Sequence, residues 1–167
     1  MRYAGALLIM AACALAGFIA AGKTAKRAAA LGGAIAFLRL YAVELGSSLS
    51  PTGELIRSTA EISGAHSFAV SYAKLEASGV SLPEAWKRAV WDCRERLCLE
   101  KRDARLIAGL GDILGRYDAQ GQIQAIAACI AQLDALREQA ERLREQKAPV
   151  YRTLGVLAGA AAAIVIC

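Results

Sequence analysis

A charge-free apolar segment near the N-terminus limits the possible folds more than any other feature of the chain. Residues 3–22, YAGALLIMAACALAGFIAAG, include no acidic or basic side chain. A helix of about 20 apolar residues is long enough to cross the roughly 30 Å hydrocarbon core of a bilayer. Arg2 precedes the segment, and Lys23, Lys26 and Arg27 follow it. The pattern predicts a transmembrane helix over residues 3–22.

A secretory signal peptide is the alternative for this segment. A short basic region before an apolar run that ends in FIAAG also fits a cleaved leader. The three basic residues directly after the run oppose translocation of the chain beyond them. We therefore favour a membrane helix that is retained.

A second charge-free segment covers residues 154–167, LGVLAGAAAAIVIC. Fourteen helical residues span about 21 Å at 1.5 Å per residue, which is short for a bilayer. Arg152 could place its charge at the membrane surface and so anchor the helix. We predict a transmembrane or membrane-embedded helix over residues 152–167, with a re-entrant or docked hydrophobic tail as the alternative.

The basic residues predict the orientation of both segments. They lie on the side of each segment that adjoins the middle of the chain, at Lys23, Lys26, Arg27, Arg142, Arg144, Lys147 and Arg152. Because cytoplasmic flanks are enriched in basic residues, the middle region, residues 28–148, is predicted to be cytoplasmic. The net charge of +5 thus indicates a membrane protein rather than a nucleic-acid-binding one.

The composition of the chain predicts an all-α fold. Hydrophobic residues make up 56% of the chain but aromatic residues only 6%, and there are three prolines. The excess of alanine and leucine favours closely packed helices over a β-sandwich. Apolar periodicity predicts a cytoplasmic bundle of about six helices in stacked hairpins between residues 28 and 148.

Turn-forming residues predict where the shorter helices begin and end. Pro51 is expected at the first position of the second helix. Gly64 and Gly79 are expected to end the second and third helices. Ser81 and Glu84 have the spacing of a capping box, in which each side chain would bind a backbone amide at the start of the fourth helix.

The longest predicted helix runs from Asp118 to Ala148 and would span about 45 Å. Its apolar residues recur at steps of three and four, at Ile123, Ile126, Ile130, Leu133, Leu136, Ala140 and Leu143. This spacing is nearly a heptad seam. The second half of the helix is heavily charged. A solvated face and a partner surface are equally compatible with that pattern.

The stretch GLGDILG, residues 109–115, has glycines in an arrangement that resembles a dinucleotide-binding fingerprint. That fingerprint requires a β-strand immediately before its first glycine, whereas RDARLIA before Gly109 has a helical pattern. We therefore interpret Gly109 and Gly111 as sites of close helix packing. Gly115 is expected to adopt a left-handed conformation at a helix end, and Asp118 is expected to cap the last helix.

The same turn supplies the candidate interaction residues of the chain. They are Gly111, Asp112, Gly115, Asp118 and Gln122, each either a partner contact or a structural part of the turn. The structural role is the favoured interpretation for Asp112 and Gln122. The membrane-flanking basic residues Lys23, Lys26, Arg27, Lys147 and Arg152 form the second candidate set.

No pattern in the sequence indicates catalysis, a cofactor or a metal. The single histidine, His66, has no serine, cysteine or acid at a spacing that suggests a catalytic pair. The five cysteines, Cys13, Cys93, Cys98, Cys129 and Cys167, match no common zinc spacing. We predict that the protein is not an enzyme and that it has no catalytic, cofactor-binding or metal-binding residues.

Three motifs together resemble the stage III sporulation protein AB family of endospore-forming bacteria. They are GALLI at residues 5–9, LGDILGRYDAQGQ at 110–122 and YRTLGVLAG at 151–159. That family is similar to the cytoplasmic domain of the inner-membrane platform protein of type II secretion, the F component. The resemblance implies a six-helix bundle of stacked hairpins.

The resemblance also implies a function and a location. It implies a non-enzymatic platform in the channel complex that joins mother cell and forespore, with a cytoplasmic secretion-type ATPase among the partner proteins. The platform would lie in the mother-cell membrane around the forespore, with its soluble domain in the cytoplasm. Self-association stays open, and a membrane-anchored signalling or regulatory bundle is the alternative function.

Overall fold

The structure is a computed structural model that describes residues 2–47 and 50–166, with side chains described at residues 22–47 and 50–146. Its α-helices are α1 (Arg2–Ser47), α2 (Thr52–Ile62), α3 (His66–Ala77), α4 (Leu82–Arg94), α5 (Lys101–Gly109) and α6 (Ala119–Ile166). A 3₁₀ turn, Leu110–Asp112, follows α5. Every regular element in these ranges is helical, which confirms the all-α prediction and the number of helices.

The first and last helices are longer than their predicted bundle segments. The predicted membrane helix over residues 3–22 and the first bundle helix form one continuous α1 of 46 residues. At the other end, α6 has 48 residues and continues past Ala148, where the prediction ended it. The side chains of the two predicted membrane segments lie outside the described residues, apart from Gly22.

The two long helices pack against each other in antiparallel directions. The Nη2 atom of Arg39 lies 3.1 Å from Oδ2 of Asp134. Nearer the N-terminus of α1, a Cβ atom on Gly32 would lie 3.5 Å from the guanidinium of Arg137, further along α6. An earlier position on α1 thus contacts a later position on α6, as expected for antiparallel helices. The N-terminal end of α1 and the C-terminal end of α6 therefore point the same way.

An aromatic cluster joins the long helices to the short ones. The ring of Phe37 on α1 lies 5.6 Å from that of Phe68 on α3 and 5.9 Å from that of Trp86 on α4. Trp86 is fully buried, and its Nε1 donates a 2.8 Å hydrogen bond to the carbonyl of Ile107 on α5. A buried indole needs such an acceptor, so this bond fixes how α4 and α5 pack.

Apolar periodicity correctly identified the core face of α6. Ile126, Leu133, Leu136 and Ala140 are buried, and Ile130 packs against the same core. Cys129 is also buried on this face.

The predicted helix boundaries are partly confirmed. Gly64 and Gly79 follow α2 and α3 with φ values of +78° and +76°, which confirms both as helix-ending residues. Pro51 lies at the N-cap of α2 rather than at the first helical position. The fifth helix ends at Gly109, whereas the sequence analysis expected a helix end at Gly115.

The capping box predicted at Ser81 and Glu84 is absent. Ser81 makes no side-chain hydrogen bond to the first turn of α4. Glu84 instead accepts a 2.8 Å hydrogen bond from Nε of Arg88, one turn later. A capping box does form at the start of α5, between Glu100 and Asp103, where the sequence analysis did not identify one.

Candidate functional site

The turn between α5 and α6 includes the glycines of the fingerprint-like stretch. A Cβ atom on Gly111 would lie 2.9 Å from the carbonyl oxygen of Pro83 and 2.9 Å from Cδ1 of Trp86. Only glycine allows this approach of α4, so the prediction of close packing is confirmed at Gly111. The same prediction is wrong for Gly109, which is exposed and would have no atom within 4 Å of an added Cβ.

Gln122 stabilises the left-handed turn at Gly115. Gly115 has a φ of +76°, which confirms its predicted conformation. The backbone N–H of Gly115 donates a 3.2 Å hydrogen bond to Oε1 of Gln122, and Nε2 of Gln122 donates a 2.7 Å bond to the carbonyl of Tyr117. Gln122 is 5% exposed. The side-chain amide of Gln122 therefore forms its hydrogen bonds within the turn, and little of its surface is accessible to a partner.

The two aspartates of the turn are more exposed. Oδ1 of Asp118 accepts a 3.0 Å hydrogen bond from the N–H of Gly121, which confirms the predicted N-cap of α6. Asp112 lies 2.7 Å from Nζ of Lys87 on α4, and its side chain is 54% exposed. Both carboxylates could reach a partner, and docking at this turn stays a prediction.

The opposite end of the bundle contains a buried ion pair centred on Arg27. Nε and Nη2 of Arg27 donate hydrogen bonds of 2.8 Å and 2.9 Å to the two carboxylate oxygens of Asp103. Its Nη1 lies 2.8 Å from Oε1 of Glu100. Arg27 is 8% exposed and Asp103 is fully buried. We call these three residues the Arg27 clamp, which attaches α1 to the N-terminus of α5.

The Arg27 clamp uses the same carboxylate that caps α5. Oδ2 of Asp103 also accepts a 2.9 Å hydrogen bond from the N–H of Glu100. The hydrogen bonds to Asp103 raise the pKa of Arg27 and outweigh the opposing effect of burial. A bidentate, charge-assisted pair of this kind is among the stronger polar contacts in proteins.

Sequence reasoning placed Arg27 in the membrane-flanking set and did not identify its partners. Arg27 and Asp103 are 76 positions apart, so no local pattern connects them. The available signal was the pair Glu100 and Asp103 before an amphipathic segment, which has capping-box spacing.

The other membrane-flanking basic residues differ from Arg27. Lys23 and Lys26 are exposed, and neither has an ion pair with the side chains that the structure describes. The side chains of Lys147 and Arg152 lie outside the described residues. The membrane-flanking role of the whole set stays a prediction.

One segment within the described residues, Gly22–Ser47, is long enough to cross a membrane, and its most apolar stretch of 18 residues has a mean hydropathy of 1.5. The core helix of a soluble bundle passes the same test, and Leu31, Leu38 and Tyr41 of this segment are fully buried. We therefore assign Gly22–Ser47 to the bundle. The predicted membrane helix over residues 3–22 lies outside the residues whose side chains are described, apart from Gly22.

The described residues form no group of three or more potential metal ligands. His66 is exposed at the start of α3. Burial raises the pKa of the Cys129 thiol to about 11, so this sulfur is protonated and unreactive at neutral pH. Chemically, the described residues offer ion pairs, turns and apolar surface.

Comparison with known proteins agrees with the resemblance seen in the motifs. The sequence model of the stage III sporulation protein AB family matches residues 2–167. No curated protein and no solved structure matches the chain. The family match covers the bundle and both predicted membrane segments.

Proposed function

Since the chain belongs to the stage III sporulation protein AB family, which implies a role in sporulation, we propose that it is a membrane platform for protein partners. The platform is non-enzymatic and serves a channel complex between mother cell and forespore. Its cytoplasmic bundle docks a secretion-type ATPase and channel proteins. The family and the apolar N-terminal helix both point to association with a membrane.

The observation that supports this proposal best is the continuity of the two long helices. α1 and α6 each extend without interruption from the bundle into a predicted membrane segment. Their antiparallel pairing places both segments at the same end of the bundle. Any partner bound to the bundle would thereby be held at a set distance from the membrane.

The Arg27 clamp supports a rigid connection at this end. Arg27 lies five residues beyond the predicted membrane helix and binds the start of α5 through Asp103. A short helix is thus attached to α1 close to the predicted membrane surface. Such a base is suited to hold partners against the membrane, since rigid elements position binding surfaces more accurately than loops.

Topology is the first test of the proposal. Gln146→Cys, in a chain whose native cysteines are replaced, should resist a membrane-impermeant thiol reagent in intact cells. It should react after the membrane is permeabilised. Reaction in intact cells would contradict a cytoplasmic bundle and with it the platform.

Partner recovery is the second test. The tagged full-length chain, purified from sporulating cells in mild detergent, should bring down a secretion-type ATPase. A chain of the same tag and length with Arg27→Met should bring down less, because α5 is no longer held against α1. Absence of the ATPase from the wild-type preparation would contradict the docking role.

A further inference from the structure

An apolar groove opens beside α1, at the bundle end nearer its predicted membrane segment. Its cavity has a volume of about 260 Å³. One side is formed by α1, including Ala29 and Gly33, and another by the turn between α2 and α3, including Gly64. The exposure of these three residues leaves the groove open to solvent along one side.

The lining of the groove is almost entirely apolar. Phe37, Phe68 and Trp86 of the aromatic cluster are part of it, and Val90 and Leu97 continue it toward the loop after α4. Among the side chains that the structure describes, no acidic or basic residue lines the cavity. Water in such a groove has few hydrogen-bonding partners, so an apolar occupant is favoured.

The size and shape of the groove favour side chains of a helix over a small molecule. Sites for small molecules typically enclose about 300–1,000 Å³, and this groove is both smaller and open. Its lining on α1 runs from Ala29 to Phe37, which is about 12 Å, or two helical turns. An amphipathic helix that lies in a groove inserts residues at this spacing.

The charge around the groove is uneven and indicates the chemistry of the occupant. Lys26 is one turn before Ala29 on the same face of α1. Nη2 of Arg96 lies 3.7 Å from Sγ of Cys93, a lining residue. Neither cation has an ion pair with the described side chains. Lys26 and Arg96 therefore supply two cations near the groove, since each is within three residues of a lining residue.

We propose that this groove binds an amphipathic helix of a partner protein that has acidic residues at one end. Apolar side chains of that helix fill the cavity, and the acidic residues pair with Lys26 and Arg96. The inference rests on the proposed platform function and assigns to it a docking surface. Complementary charges of this kind fix the direction in which the helix lies.

Binding of defined peptides to the full-length chain in lipid nanodiscs tests the proposal. Two fluorescent helical peptides share leucines at positions i, i+4 and i+7, and one has two glutamates at one end where the other has two lysines. The glutamate peptide should bind about tenfold more tightly, as expected for two ion pairs at a partly exposed site. Lys26→Glu together with Arg96→Glu should reverse this preference.

Two glycine substitutions test whether the peptide binds in the groove or elsewhere on the surface. A Cβ atom on Gly33 or on Gly109 would meet no atom within 4 Å, and both residues are helical and exposed. Only Gly33 lines the groove. Gly33→Leu should therefore weaken binding of the glutamate peptide about tenfold, and Gly109→Leu should leave it unchanged.

Three outcomes would overturn the proposal. They are equal affinity for the two peptides, unchanged binding by Gly33→Leu, and cross-linking of two tagged copies through a photoreactive residue in place of Ala29. The last would assign the groove to a second copy of this chain. If the glutamate peptide binds in the groove as expected but no ATPase co-purifies, the docking surface is supported and the proposed platform function is contradicted.

Discussion

The two ends of the bundle are held together by contacts of opposite character. At the turn between α5 and α6, Gln122 and Gly115 are bonded across seven positions of the chain, and Asp118 and Gly121 across three. At the other end, the Arg27 clamp joins residues 76 positions apart. The hydrogen bonds of Gln122 and Asp118 are local to the turn, whereas the Arg27 clamp exists only once the long helix and α5 have packed together.

The difference also concerns charge and burial. The turn depends on backbone conformation, a neutral amide and an exposed carboxylate. The Arg27 clamp places a fully buried carboxylate against a guanidinium. Removing one member of a buried ion pair leaves an uncompensated charge, which is far more destabilising than the loss of an exposed contact. The clamp end should therefore be the more sensitive to substitution.

Arg27→Met is expected to have the largest effect. It leaves the carboxylate of Asp103 buried without its cationic partner, and the free energy of unfolding should fall by about 3–5 kcal/mol. The measurement is chemical unfolding of the full-length chain in detergent, followed by circular dichroism. Arg39→Met is the matched control. It removes an exposed pair with Asp134 and should change stability by at most about 1 kcal/mol.

A double substitution tests the reason for that effect. Arg27→Met with Asp103→Asn removes the buried charge but retains an oxygen that can accept the hydrogen bond from Glu100 N–H. Most of the lost stability should return. If the double variant is as unstable as Arg27→Met, the cost arises from lost packing and the comparison of the two ends fails.

Gly111→Ala tests the most tightly packed point of the turn end. The new methyl group would lie 2.9 Å from the backbone oxygen of Pro83 and should lower stability by about 1–3 kcal/mol. The same substitution at Gly109, where the space is open, should raise stability by up to about 1 kcal/mol through helix propensity. Equal effects at the two glycines would show that α4 does not approach the turn closely.

Alkaline unfolding probes the region between the two ends. Burial raises the pKa of Cys129 from 9.0 to about 11 and that of Tyr72 from 10.0 to about 12. The folded state therefore favours the protonated form of each group, and ionisation of either group destabilises the fold. Their contribution to the free energy of unfolding is complete below pH 9. It is lost as the two groups ionise in the unfolded chain, and for Cys129 the loss reaches about 2 kcal/mol near pH 11.

Cys129→Ala should therefore flatten the fall in stability between pH 9 and 11 and leave the later fall due to tyrosine. Melting temperature against pH, for the variant and the wild-type chain, measures the change in slope. A slope that is the same in both would show that the thiol ionises equally well in the folded and unfolded states.

The smallest effects are expected at the exposed aspartates. Asp118→Ala removes the N-cap of α6 and should lower stability by about 1 kcal/mol. Asp112→Ala removes an exposed ion pair with Lys87 and should have an effect below about 1 kcal/mol. Recovery of partners by both variants, and by Gln122→Ala, completes the measurement. Normal recovery in all three would exclude the turn as a docking site.

The sequence predicted features that depend on neighbouring residues. The left-handed glycines at positions 64, 79 and 115 were found because only a few residue types tolerate a positive φ. The cap at Asp118 and the buried face of α6 were found for similarly local reasons. The capping box at Ser81 was wrong because Glu84 pairs with Arg88 one turn later. The prediction at Gly109 was wrong because the space around a small residue depends on packing.

The candidate sites show the same division. Gln122 was identified as a turn residue because it lies at the start of α6, directly after the turn in sequence. Arg27 was grouped with the membrane-flanking cations, and only the packing of α5 on α1 showed that it is buried. The apolar groove could not be predicted, because it is formed by residues of α1, α4 and the turn between α2 and α3.

Local chain chemistry alone determined that this protein is helical, that Gly64 and Gly79 end α2 and α3, and which face of α6 is buried. Backbone conformation and apolar periodicity depend on residues a few positions apart, so they can be predicted from the sequence without the tertiary structure. Tertiary structure decided that Arg27 is clamped, that Gly111 rather than Gly109 is tightly packed, and that Phe37, Phe68 and Trp86 line one groove. Those facts depend on distances between residues remote in sequence, which exist only after the helices have packed.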